Sequence, residues 1–340
     1  MLAASSPGLG SSRRRQALIA LAASLLAAPL ASYAQQAGKV WRVGFMAQRA
    51  FEAPFTADVY SEFSRGMGGL GYVEGRNLLI EWRSGEGNIG RLPDLAAELV
   101  QLSLNVIVTV GAPATKAMQQ ATTAIPIVMA SVGDPVGQGL VKSLARPGGN
   151  TTGLSNLNLE IGPKRLEMLL RMVPKLSRVA VLVNPDNGSG AVLLSHIQAA
   201  APKLRVTVLP LEARSMLEIE RAFVTMIRQK AGAVIVAQDQ FLIQQRRQVA
   251  ELAAKHRLPS ISGYRDYTIA GGLMSYGQNL GDNYRRAATF VDKIFKGAKP
   301  SDLPVEQPIT VELFINRKTA KALGLAIPQS LLISADKVIE

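Results

Sequence analysis

Cysteine is absent from the 340 residues. That excludes structural disulfides, thiolate zinc or iron–sulfur sites, a cysteine nucleophile, thioether haem attachment and a lipid anchor on cysteine. Histidine is scarce, with His196 and His256 alone. A histidine-rich metal site is therefore excluded, and both residues fall in helical patterns where a surface or capping role is the ordinary one. Charged residues are 19% of the chain and hydrophobic residues 48%, whereas disorder requires low hydrophobicity and high charge. No G-x-x-x-x-G-K-[ST] phosphate loop occurs, and no G-x-S-x-G nucleophile elbow. G-x-G-x-x-G occurs twice. Residues 66–71 end a helical pattern, the wrong context. Residues 85–90 follow a strand pattern, but no acidic residue lies about 20 residues further on, and Glu86 would repel a pyrophosphate. No acidic cluster stands out, so nothing indicates acid–base or covalent chemistry. No cofactor, no metal and no catalytic residue are expected.

What is present begins with Arg13, Arg14 and Arg15, an apolar run over 17–28, the breaker Pro29, and Ser32-Tyr33-Ala34. Small residues at −3 and −1 after a short apolar run form a secretory signal peptide, with cleavage expected near Ala34. Two points stay open. Sequence free of charge extends from Gln16 to Gln36, as in an uncleaved anchor, and the arginines faintly resemble a twin-arginine signal. Residues 1–34 hold three arginines and no other charge, so their loss takes the net charge from +13 to +10. The remaining 306 residues suggest two domains at about 150 residues each. The positive residues are dispersed. Their densest groups, Arg246-Arg247 and Arg285-Arg286, carry no interleaved aromatics, so solvated helix faces are expected and no nucleic-acid partner.

Short β-branched runs alternate with longer amphipathic ones. Strands are predicted over 40–46, 78–82, 106–110, 125–129, 179–183, 206–209, 233–237, 258–261 and 273–276. They are apolar on both faces, as in parallel sheets covered by helices. Helical spacing is clear at Leu95, Leu99 and Leu102, and at Leu166, Leu169, Leu170 and Val173, and residues 216–230 and 280–296 behave similarly. The alternation predicts an α/β fold with right-handed crossovers. Turn formers cluster at 146–153, 270–272 and 299–304, which implies a chain that passes three times between two lobes.

In open α/β sheets ligands bind beyond the carboxyl ends of the strands. The loops there, 48–55, 111–115, 131–135, 184–190, 238–241 and 263–267, contain Gln48, Phe51, Phe55, Phe241, Tyr264 and Tyr267, with Tyr276 after a later strand. Gly111 permits close backbone approach, and Ala112, Pro113, Ala114 and Thr115 open a helix whose first amides suit a carboxylate. Asp134-Pro135 reads as a helix cap or a ligand contact, and Ser155 and Asn156 follow the first crossing. Asn184 is a turn residue or a contact. Asp239 either caps a helix or pairs with a ligand ammonium. Together, an anion-binding helix terminus, an acid and aromatic faces fit an amino acid or a close derivative.

At these loops the sequence resembles the substrate-binding proteins of ABC transporters. The resemblance rests jointly on residues 107–114, 132–136, 143–150, 251–259, 271–277 and 321–328, running on to 340, and covers essentially the whole mature chain. It implies a type I periplasmic-binding architecture, with two Rossmann-like lobes of parallel sheet, three hinge crossings and a cleft. The lobes are expected at 35–152 plus 273–303 and at 153–272 plus 304–340. It further implies an exported, periplasmic monomer that is not an enzyme, captures a small molecule and hands it to permease and ATPase subunits. Some members of the family look like carriers of aromatic amino acids. A ligand-sensing receptor of the same fold is the alternative, and an exported enzyme the weaker third.

Overall fold

The structure, a computed structural model, describes Met1 and residues 39–340. The arginine-rich start, the apolar run and the cleavage point at Ala34 lie outside the described residues. Residues 41–340 form one compact unit built around two sheets. The chain begins with β1 (Trp41–Ala47), α1 (Ser61–Gly69), β2 (Leu78–Ser84), α2 (Leu92–Val100), β3 (Val106–Val110), α3 (Ala112–Ala121), β4 (Ile127–Gly133) and β5 (Thr151–Asn156). These strands pair in parallel in the order β2-β1-β3-β4-β5.

The alternation of side chains along each strand explains why the runs are apolar throughout. Phe45, Val106, Val108 and Val128 bury one face against α1. Met46, Ile107 and Ile127 bury the other against Leu92, Leu95, Leu99 and Met118 of α2 and α3.

The second sheet takes up α4 (Gly162–Met172), β6 (Arg178–Val183), α5 (Gly188–Ala200), β7 (Thr207–Glu212), α6 (Met216–Arg228), β8 (Ala233–Val236), α7 (Gln240–Gln244), α8 (Arg246–Lys255), β9 (Ser260–Ser262), α9 (Arg265–Ile269) and β10 (Met274–Gly277). The chain then returns α10 (Leu280–Phe295) to the first sheet, where Leu280, Tyr284, Ala287, Phe290 and Val291 complete the α1 face. Finally β11 (Glu312–Asn316), α11 (Arg317–Ala322), α12 (Gln329–Ser334) and β12 (Lys337–Ile339) close the second sheet in the order β12-β11-β10-β9-β8-β6-β7.

Five expectations need correction. Turn formers at 146–153 suggested a crossing at 152/153, yet Thr151–Asn156 is β5 of the first sheet, held to β4. Likewise β10 belongs to the second sheet, paired with β9, so the chain leaves that sheet after 277 and not at 272/273. The strands β5, β11 and β12 went unpredicted. Polar TTGLSN reads as a turn, and its Gly153 sits at φ 130 against Met129, a place for glycine alone. Nor are the sheets parallel throughout, because β11 runs antiparallel to β10. The predicted strand at 206–209 continues through Pro210 to Glu212; β7 is an edge strand, where proline costs no ladder bond.

The three passages between the sheets are tied by one side chain. Gln278, 4% exposed, accepts from the Leu157 amide of the first crossing at 3.1 Å and donates to the Pro308 carbonyl of the third. The third crossing also lies along β5, with the Ser155 amide donating to the Glu306 carbonyl at 2.8 Å and the Glu306 amide to the Gly153 carbonyl at 2.9 Å.

Candidate functional site

The strand ends of both sheets face each other across a cleft. At its centre is a small cavity of ≈ 40 Å³, lined from the first lobe by Gly111, Ala112, Pro113, Ser131 and Gly133. The crossing contributes Asn156, Asn158 and Leu159, and the second lobe Asn187, Ser189, Gln238, Gln240 and Tyr264. Two larger grooves continue it. One of ≈ 540 Å³ runs between residues 86–90 and Asn184, Phe241 and Gln244. The other, ≈ 370 Å³, runs from Lys116 and Gln120 to Asp186 and Gly188.

Gly111 adopts φ 82, ψ 160 and so turns β3 directly into α3. The first amides of α3 therefore lie without helical partners, at the positive end of the helix dipole. Ala112 and Pro113 reach the cavity as expected. Ala114 and Thr115 do not: Ala114 packs with Leu92 and Met118, and the Thr115 hydroxyl is engaged with Thr109 at 2.8 Å and the Gly111 carbonyl at 2.9 Å.

Asp239 is 4% exposed and stands between β8 and α7, three residues past Val236, where the strand ends. Its Oδ1 accepts from the amides of Phe241 and Leu242, at 2.9 and 3.1 Å, which caps α7. It also gathers two carboxamides, Asn184 Nδ2 on Oδ1 at 3.2 Å and Asn187 Nδ2 on Oδ2 at 2.9 Å. Burial pushes its pKa up, and these four donors pull against that. Asp134, read as a helix cap, instead closes a turn by accepting from the Gly137 amide at 2.8 Å, at φ 45; no helix follows. Tyr264 faces the cavity and Tyr276 does not; the latter packs against the second core.

Buried polar atoms without partners mark the same region. The Gln48 carboxamide at the end of β1, the Ser155 hydroxyl and Asn158 Nδ2 make no hydrogen bond. Asn156 spans the hinge, donating to Ser131 Oγ at 3.0 Å and accepting from the Asn158 amide at 3.2 Å. The lobes also touch directly. Tyr60 donates to Gln240 at 3.0 Å, the Ala50 amide to Gln244 at 3.3 Å, and Arg246 pairs with Glu52 at 2.8 Å. Phe51 and Phe55, grouped with the cleft aromatics from sequence, meet Trp82 edge to face within the first lobe. Tyr267 is spent on Ser260. His196 bonds the Leu159 carbonyl and His256 stacks on Phe223. Among the described residues no cluster of acids and histidines could hold a metal, and no helix is long and apolar enough to cross a membrane.

The sequence missed Asn158, Asn187 and Gln238. The last two lay in loops already placed at strand ends, and that position was the signal available. Asn158 had none, because a single asparagine in a crossing carries no pattern.

Residues 49–339 match the family model described as ABC transporter substrate binding protein. A tyrosine-binding protein of Clostridioides difficile is 26% identical over 264 residues, 77% of this chain and 75% of that protein. The solved structure of an ABC domain from Streptococcus pneumoniae in complex with L-Trp is 26% identical, with TM-score 0.82 over 88% of this chain and 100% of that one. The ligand-free, open structure of a substrate binding protein with adhesive properties from Clostridium difficile superposes with TM-score 0.63, at 23% identity, over 88% and 99%. The architecture is that of type I periplasmic-binding proteins.

Proposed function

Since this chain belongs to the ABC transporter substrate binding protein family, we propose that it captures an amino acid with an aromatic side chain and delivers it to the permease and ATPase subunits of an importer, outside the cytoplasm. The observation that carries this reading is the polarity of the cleft. On the first lobe the α3 amides at Ala112 favour an anion. Across the cavity Asn187 and Gln238 offer carboxamides, and the buried Asp239 stands directly behind Asn187, a negative charge that favours a cation on that side. One molecule with both charges is an α-amino acid. Tyr264 offers a ring face beside them and Phe241 another in the adjoining groove. The names of the relatives that bind tyrosine and L-Trp support an aromatic side chain. The interlobe contacts through Tyr60, Gln244 and Arg246 support a cleft that closes on its cargo by hinge motion.

The test is titration calorimetry of the purified chain, stripped of bound solute, against the twenty amino acids. Binding of tryptophan or tyrosine with micromolar or tighter Kd is expected, with aliphatic residues weaker by ~10-fold or more. Failure to bind any amino acid refutes the reading.

A further inference from the structure

Arg165 is fully buried, at 0% exposure, yet no acid pairs with it among the described residues. It projects from the first turns of α4, whose dipole is unfavourable to a cation. Its Nε donates to the Tyr276 carbonyl at 2.8 Å, Nη1 to the Asn158 carbonyl at 3.1 Å and Nη2 to Asn158 Oδ1 at 2.9 Å. Room is made for it by Gly263, where a Cβ would stand 2.6 Å from Nη2. A buried charge satisfied only by neutral oxygens holds an unspent positive potential, and burial lowers its pKa to about 10.

That potential has an outlet through Asn158. A guanidinium can only donate, so its bond fixes Oδ1 of Asn158 as the acceptor and leaves Nδ2 pointing elsewhere. Asn158 is 3% exposed, lines the central cavity, and Nδ2 has no partner. We infer that Asn158 Nδ2 is a specificity-determining donor to the ligand carboxylate, with Arg165 as the positioning residue that fixes its orientation and supplies the charge behind it. This rests on the amino-acid reading above and adds to it. The carboxylate is held from two sides, by the α3 terminus on the first lobe and by Asn158 at the hinge. Closure thus brings the ligand's negative charge to a cation that has no other. A neutral group in that place would leave Arg165 uncompensated, so the site discriminates acids from amides.

The experiment compares the intact protein with Asn158→Asp and Asn158→Ala, using L-tryptophan, L-tyrosine and their carboxamides as probes. Asn158→Asp gives Arg165 a counter-ion within the fold and removes the donor, so it should melt no lower than the parent. Its affinity for the free amino acid should fall ~10-fold or more, while that for the carboxamide changes much less. Asn158→Ala should reduce the acid-to-amide preference in the same direction. A folded Asn158→Asp protein with the parent's affinity and preference overturns the inference. A parent protein that binds neither amino acid nor carboxamide overturns the amino-acid reading itself, and this inference with it.

Discussion

At Asp239 the carboxylate that the sequence left between two roles accepts from Phe241, Leu242, Asn184 and Asn187. Its replacement therefore costs more than a cap. Asp239→Ala loses a cap worth about 1 kcal/mol and strands two buried amide donors, so chemical denaturation should show a loss of about 2–4 kcal/mol. The pH dependence has a definite sign. The folded pKa is raised, so the native state binds the proton more tightly than the unfolded chain. The stabilisation from this group is complete below the ordinary carboxylate pKa of about 3.9 and is lost as pH rises through the raised value. Asp239→Asn keeps a cap oxygen and should remove that component of the acid-range slope, measured by urea denaturation across pH 3–7. Residues of this kind divide what sequence can show from what it cannot. Gly111, Ala112 and Pro113 were legible because a strand, a glycine and a proline in that order specify a turn into a helix. Asn158 and Arg165 were not, because their significance lies in a partner that is missing, and only packing reveals that.

The helices show the same division one level up. Residues 66–71 match a nucleotide-binding pattern by letters alone, and the structure gives the glycines other reasons. Gly66 lies where α1 crosses α10, and a Cβ there would stand 2.7 Å from the Arg285 carbonyl oxygen and 2.9 Å from Ala288 Cβ. Gly71 ends the turn after α1 at φ 87. Gly66→Ala should therefore destabilise by about 1–3 kcal/mol despite the better helix propensity of alanine, which a thermal melt would read as a lowered Tm. Strands such as β3, β4, β6 and β8 were legible because they are apolar and buried on both faces, and β2 and β7, more exposed, because their β-branched and leucine runs stand between helical patterns. The exceptions were β5, polar and broken by Gly153, and the short β11 and β12. Helix α10 was legible as a helix from its spacing, but nothing in it says which sheet it covers. That depends on the route of the chain.

For the molecule as a whole that route runs through Gln278, which joins all three crossings. Gln278→Ala frees the Leu157 amide and the Pro308 carbonyl, at an expected cost of about 1–3 kcal/mol. It also uncouples the crossings, so small-angle scattering should show a larger radius of gyration for the ligand-free variant than for the parent. Bound to ligand, the two should coincide, since the cleft contacts are then the same. The two-lobed plan and the three passages were legible from the alternation of elements and the turn formers; the first crossing was misplaced because β5 looks like a loop, and the second because nothing in the sequence of β10 says which sheet it joins. The return of α10 to the first sheet has a further consequence for the order in which the protein comes into being. Tyr284, Phe290 and Val291 belong to the first core but are translated after β6–β10 of the second sheet. A nascent chain that has emitted all five strands of the first sheet has only α1 on that face and still lacks the helix that packs beside Phe63 and Val128. The first half of the molecule cannot mature before the second has largely been made. Folding thus waits on synthesis, and the lobes, though each has its own sheet and core, are one inheritance: neither can be exchanged between relatives as a single uninterrupted stretch of gene.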